Sequence, residues 1–146
     1  MTTIILTIIG ILLAAAAALM VIFYGGDAFN SGSVGAQANT YQNAGTNVIS
    51  AAQLAAADAV AFDLTPGRYL KEAPALPNGA TGTLEGTAPN ISYEVPVAGD
   101  QADEVCARIN ANLKLDAATV TALETAGNRN GKMGCNSGDS VFFANL

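Results

Sequence analysis

The sequence predicts an α+β fold in which a long N-terminal helix, hydrophobic at first and then amphipathic, packs on a small antiparallel sheet. Three patterns support this: an uncharged apolar run at 4–24, an apolar stripe with helical spacing at 34–55, and an alternating segment at 90–97. The chain has 146 residues, enough for one head domain with a modest core. We expect the N-terminal helix over 1–58 and a globular head over 59–146, with a disulfide-bounded C-terminal region.

Composition argues against several function classes. The chain is 51% hydrophobic and contains two Cys and no His, which disfavours a zinc site or a His-based catalytic triad. Twelve acidic and six basic residues give a net charge of −6, so charge does not indicate a nucleic-acid partner. The sequence Ser137-Gly138-Asp139-Ser140 has nucleophile-type side chains but no His base, and we interpret it as a turn. We therefore predict that the chain is not an enzyme and has no cofactor, catalytic residue or metal ligand.

The N-terminal apolar run, residues 4–24, contains no charge, and Thr7 is its only polar residue. As a helix it would span roughly 31 Å at about 1.5 Å per residue, close to the thickness of the bilayer hydrocarbon. Large apolar residues fall on every face of that helix, whereas a core helix of a small domain would normally keep a polar face. The segment is therefore predicted to lie in lipid or in a bundle of helices.

Three interpretations of this run compete. A cleaved signal peptide needs a basic n-region and a shorter apolar core, and an uncleaved anchor normally has basic residues at its cytoplasmic end. No Lys or Arg precedes Arg68. The third interpretation, that a charged leader has been removed and Met1 is the processed N-terminus, is the one this pattern favours.

Small residues within the run recur on one helical face, at Gly10, Ala14 and Ala18. Such spacing lets helix backbones approach closely in an apolar setting, so we expect these residues to pack against neighbouring helices. The alternative is that Ala is present simply as a good helix former.

The second part of the helix begins after Gly25 and Gly26, which lower helix propensity by about 1 kcal/mol each. Residues 25–35 are interpreted as a connector or as a stretch where a long helix melts locally. Residues 36–58 form the amphipathic half. Its apolar stripe begins just before that half and follows a 4-3-4-3 spacing through Val34, Ala38, Tyr41, Gly45, Val48, Ala52 and Ala55.

The head begins with a segment rich in Pro and Gly, residues 63–89, which predicts a long surface loop with room for a short strand at 82–84. Residues 90–97 alternate apolar and polar side chains and predict a strand. Pro96 indicates either an edge position or the end of that strand.

Two helices and a last strand are predicted in the rest of the head. The first helix covers 100–113, with acidic residues in its first turn and a buried side marked by Val105, Ile109 and the pair at 112–113. A short helix at 115–124 and a strand at 140–146 follow.

The two cysteines are Cys106, on the predicted helix, and Cys135, in the segment before the last strand. Two Cys beyond a membrane-like segment suggest one disulfide formed outside the cytoplasm, and two inert thiols are the alternative. A bridge closing a loop of about 30 residues would stabilise the head by roughly 3–4 kcal/mol.

Taken together, the apolar-then-amphipathic helix, the loop rich in Gly and Pro, the strand region and the two-cysteine section resemble a type IV pilin. The segment Glu104-Val105-Cys106-Ala107-Arg108-Ile109-Asn110 is similar to the start of the disulfide-bounded region of the IVb subclass, and Met1 resembles the mature N-terminus there. Two residues depart from the family. Ile5 stands where the family usually has a Glu, and Ile22 stands where it frequently has a Pro, so Gly25 and Gly26 would supply local helix melting instead.

The resemblance implies a structural subunit of an extracellular, pilus-like helical filament. The subunit would wait in a bacterial inner membrane, with Met1 as a processed and methylated N-terminus, and would then polymerise through its N-terminal helix. Its partners would be copies of itself, the pilus assembly machinery and a surface or host receptor, in motility or adhesion. Two alternatives are a membrane-anchored periplasmic or surface binding domain and a pseudopilin of a secretion system.

Overall fold

A computed structural model describes residues 2–87, 90–125 and 131–146 of the chain. Its elements are, in order, α1 (Thr2–Ala57), β1 (Thr83–Thr87), β2 (Asn90–Pro96), α2 (Ala102–Leu113), α3 (Ala117–Thr125), β3 (Met133–Asn136) and β4 (Val141–Asn145). The predicted α+β class is confirmed, with four antiparallel strands in one sheet. Met1 lies outside the described residues, so its role as a processed N-terminus stays a prediction.

The chain consists of two compact units. The first, Met1–Ser33, holds the apolar beginning of α1. Gly25 and Gly26 are both helical, and α1 runs through residues 25–35, so of the two interpretations of this stretch the connector is not found. The other interpretation, local melting of the helix at these glycines, stays a prediction.

The second unit, Val34–Leu146, contains the rest of α1 together with all of the strands and the other helices. It begins 25 residues before the division at residue 59 that the sequence suggested, because the apolar stripe of α1 is part of its core. All of the predicted stripe residues are buried: Val34, Ala38, Tyr41, Gly45, Val48, Ala52 and Ala55.

The sheet has the strand order β1-β2-β4-β3. Since β2 lies inside the sheet and Pro96 is its last residue, Pro96 marks a strand end and not an edge position. The short strand β3 was not predicted. It lies at one edge of the sheet and pairs with β4 in a hairpin whose turn is formed by residues 137–140, as predicted for that sequence.

One face of the sheet packs against α1. Tyr93 and Val95 of β2 lie opposite Ala144 and Phe142 of β4, and all four side chains are buried. A Cβ atom at Gly45 of α1 would lie only 2.7 Å from Phe142 Cζ. The absence of a side chain at Gly45 therefore lets the helix backbone approach β4.

The other face of the sheet is covered in part by α3. Val120 and Leu123 of this helix form a small cluster with Phe143 of β4. The helix is preceded by Asp116, whose carboxylate accepts a hydrogen bond from the Thr119 backbone N–H at 2.7 Å. Hydrogen bonds from Thr119 hold the pKa of Asp116 below its usual value, as expected for an N-terminal cap.

The segment between α1 and β1 is irregular apart from one short turn of 3-10 helix at Pro77–Gly79. The short strand allowed at 82–84 within the predicted loop at 63–89 is found as β1, which begins at Thr83 and extends further than expected, to Thr87; residues 88–89 lie outside the described part of the chain. Near the end of α1, Asp58 accepts hydrogen bonds from the Tyr69 hydroxyl at 2.9 Å and from Arg68 at 3.3 Å.

The disulfide links α2 to β3. Cys106 and Cys135 are 29 residues apart, are bonded to each other and are both fully buried. Val105 and Ile109 are buried on α2 as predicted. Asn112 is exposed, which corrects its assignment to the buried side: the buried face follows positions 105, 106 and 109, and Asn112 lies beyond its edge.

Gly45→Ala should lower the free energy of unfolding of the head by about 1–2 kcal/mol, because overpacking against Phe142 outweighs the gain in helix propensity. Gly35→Ala, on the same helix with open space around it, should raise that free energy by up to about 1 kcal/mol. Urea unfolding of the full chain in mild detergent, followed by near-UV circular dichroism, measures both. Equal stabilisation by the two changes would contradict the close approach at Gly45.

Reduction of the disulfide should lower the free energy of unfolding by roughly 3–4 kcal/mol, because the unfolded chain regains the entropy of a loop closed by residues 29 apart. The measurement compares urea unfolding of the same protein with and without a reductant. Superimposable curves would show that the bridge does not restrict the unfolded chain.

Candidate assembly surfaces

The first unit presents an apolar helical surface. Ile4–Phe23 of α1 is long and apolar enough to cross a membrane, and none of it is buried within the protein. The exposed fraction is 57% for Ile5 and 73% for Phe23, at opposite ends of this segment. Monomeric soluble proteins rarely expose an apolar surface of this extent, and its length and composition are those of a membrane anchor or a signal sequence.

Small residues lie within this apolar surface. Gly10, Ala14 and Ala18 are all helical and exposed, and their spacing places them on one face of α1. A Cβ atom at Gly10 would meet nothing within 4 Å. The structure thus brings the three residues together on one face, and their packing against another helix stays a prediction.

The second unit presents a different surface, the outer face of α1. Its buried stripe faces the sheet, while the opposite side is exposed. The exposed residues of α1 in this unit are Ala36, Asn39, Asn43, Thr46, Asn47, Ser50, Gln53, Leu54, Ala56 and Ala57. We call this set the outer face. The hydroxyls of Thr46 and Ser50 donate hydrogen bonds to the Gln42 and Thr46 carbonyls of the same helix, each at 2.8 Å.

Charge is absent from the outer face. Asp27 is the only charged residue before Asp58, although the whole chain carries 18 charged side chains. A helix face that stays in water usually carries charged residues, whereas a face that packs closely against another protein has few at its centre. The sequence shows the same feature as an uncharged interval between Asp27 and Asp58, but helical periodicity alone did not indicate a function for it.

Metal-binding geometry is not found in the described part of the chain. Within residues 2–87, 90–125 and 131–146, no group of three His, Cys, Asp or Glu side chains could hold a metal ion. The acidic residues Asp103 and Glu104 lie in the first turn of α2, and Asp103 accepts a hydrogen bond from the Ser140 hydroxyl at 3.0 Å. Their arrangement is explained by the helix end and the adjacent turn.

Two buried tyrosines, Tyr41 and Tyr93, have raised pKa values. Burial raises the pKa of Tyr41, with a smaller opposing effect from the backbone of Ala98. Burial also raises the pKa of Tyr93, and the nearby Tyr41 raises it further. Within the described residues the buried Tyr41 hydroxyl makes no hydrogen bond of good geometry, so burial in the core is the main cause of both shifts.

Comparison with known proteins adds no assignment. No family model, curated protein or solved structure matches this chain. The functional argument therefore depends on the apolar segment Ile4–Phe23 and on the outer face of α1.

Tyr41→Phe should make the head more resistant to alkaline unfolding. A pKa raised in the folded state gives stability that is complete below the unfolded value, about pH 10, and is lost as the pH rises above it. Removing the unpartnered hydroxyl should also leave stability at pH 7 unchanged or up to about 1 kcal/mol higher. Urea unfolding of parent and variant between pH 7 and 11 measures both effects. Identical pH profiles would be inconsistent with a buried, hard-to-ionise Tyr41.

Proposed function

We propose that this chain is a structural subunit of a type IV pilus-like helical filament, held in a bacterial inner membrane before assembly and polymerised through α1. The observation that carries the proposal is the unburied apolar segment Ile4–Phe23. Its length suits the hydrocarbon of a bilayer, and its surface, apolar except for Thr7, suits a bundle of helices equally well. The same segment can therefore be covered by lipid before assembly and by neighbouring copies afterwards.

The outer face of α1 supports the same proposal independently. A membrane anchor alone would explain the apolar segment but would not require the solvent-facing side of α1 in the head to be free of charge. Copies packed in a filament would require it, because a charged side chain buried without a partner costs several kcal/mol. Short side chains such as Thr46 and Ser50, with hydroxyls bonded within the helix, allow close contact without loss of hydrogen bonds.

Assembly in this proposal needs no catalytic residue. A dedicated machinery moves the subunit from the membrane, and the small residues Gly10, Ala14 and Ala18 let neighbouring helices approach in the filament core. Gly25 and Gly26 give the helix a point where it can change conformation at low cost. The head, which carries nearly all of the charge, forms the outer surface and supplies any contact with other surfaces.

The first test is negative-stain electron microscopy of the sheared extracellular fraction, with the mass of the subunit measured in the same material. Uniform thin filaments composed of this chain support the proposal. Recovery only in the membrane fraction, without filaments, would rule out a major filament subunit and leave the anchored binding domain or the pseudopilin.

Asn47→Lys should reduce the number of filaments at least tenfold, because the new charge on the outer face would be buried between subunits. Asn47→Gln, at the same exposed position and without charge, serves as the control and should assemble normally. Both variants should remain folded, with unfolding free energies within about 0.5 kcal/mol of the parent, as is usual for exposed positions. Normal filaments from Asn47→Lys would show that the outer face remains in water.

A further inference from the structure

The contact between α2 and β3 includes a second link besides the disulfide. Asn110 lies one helical turn after Cys106 on α2, so the two side chains project from the same face of the helix. The Asn110 amide nitrogen donates a hydrogen bond to the Cys135 carbonyl at 2.7 Å, and the Cys135 N–H donates to Asn110 Oδ1 at 2.9 Å. One side chain thus binds both backbone polar groups of the residue that forms the disulfide.

The position of β3 explains why this arrangement matters. β3 has only four residues and pairs with β4 on one side, leaving its other side as an edge of the sheet. The N–H and C=O of one strand residue point to the same side, so the two bonds to Asn110 place those groups of Cys135 on the edge away from β4. Asn110 therefore takes the place of a neighbouring strand at Cys135.

We propose that Asn110 is the positioning residue for the Cys106–Cys135 disulfide. It holds the backbone of Cys135 against α2 before the bond exists, so the two thiols meet at high effective concentration when the chain is still reduced. The Asn110 contact lies within the head and does not depend on filament formation.

The chemical step is a thiol–disulfide exchange with an external disulfide, such as glutathione disulfide. One cysteine thiolate attacks that disulfide and releases one glutathione thiolate, and the second cysteine thiolate then attacks the mixed disulfide and releases the other. The protein dithiol is oxidised and the glutathione disulfide is reduced to two thiols, which take up the two protons that the protein thiols release. Asn110 contributes only to the second, intramolecular attack, by limiting where Cys135 can lie relative to Cys106.

The experiment measures the effective concentration of the two thiols. The full chain in mild detergent is equilibrated with mixtures of reduced and oxidised glutathione, and the fraction of the Cys106–Cys135 bond is determined by mass after acid quenching and alkylation. Equilibrium is used because both cysteines are buried, so that access of the reagent would dominate a rate. Circular dichroism of the reduced chains establishes that each variant remains folded.

Asn110→Ala should lower the effective concentration about tenfold, the effect expected for losing two hydrogen bonds at a buried backbone. Asn110→Asp keeps the acceptor for the Cys135 N–H and loses the donor, so its value should fall between those of the parent and Asn110→Ala. Asn112→Ala changes an exposed amide on the same helix and should leave the value unchanged.

A last control separates positioning from general destabilisation. A Cβ atom at Gly82 would overlap the ring of Tyr93, near β1 and remote from β3 in the strand order, so Gly82→Ala weakens the head without touching the Asn110 contact. It should leave the effective concentration within twofold of the parent. The proposal is overturned if Asn110→Ala and Asn110→Asp both retain the parent value, or if Gly82→Ala lowers it as much as Asn110→Ala does.

Discussion

The close approach of α1 to β4 at Gly45 is the contact on which the head depends. Without a Cβ at this position the Phe142 ring lies against the helix backbone, tilted toward Tyr41 with ring centroids 5.8 Å apart. Since Phe142 also lies opposite Val95 and Cys135 in the neighbouring strands, a displacement of its ring would be transmitted across the sheet. The packing of the helix, the register of the sheet and the position of the disulfide are therefore linked through one glycine.

Helical periodicity predicted the part of α1 that packs in the head, because a buried stripe with 3–4 spacing has few structural alternatives. Every stripe residue from Val34 to Ala55 is buried, and the α2 residues Val105 and Ile109 follow the same rule. Sequence patterns gave no prediction or a wrong one where they covered few residues. β3, at Met133–Asn136, has too few residues for alternation to be detected, and Asn112 lies just past the edge of the buried face.

Tertiary contacts account for what sequence reasoning could not supply. The unit boundary at Val34 depends on which part of α1 the sheet covers: the apolar stripe that begins at Val34 indicated a buried face, but not that this face belongs to the core of the head. Likewise, Asn110 binds Cys135 from 25 residues away in sequence, a pairing that becomes visible only when α2 and β3 are brought together. The uncharged outer face was readable from the sequence, but its exposure was established by the burial of the opposite side.

The presence of Ile5 changes which interactions would determine how the N-terminal helices pack in the proposed filament. An ionised carboxylate at that position would have to find a cationic partner in an apolar bundle, since an unpaired charge there costs several kcal/mol. Ile5 removes that requirement and adds apolar surface to a segment that is already apolar on every side. Apolar burial is non-directional, so it cannot by itself select one helical register over another. In such a filament the choice of register would depend on shape, through the small residues Gly10, Ala14 and Ala18 and the uncharged outer face.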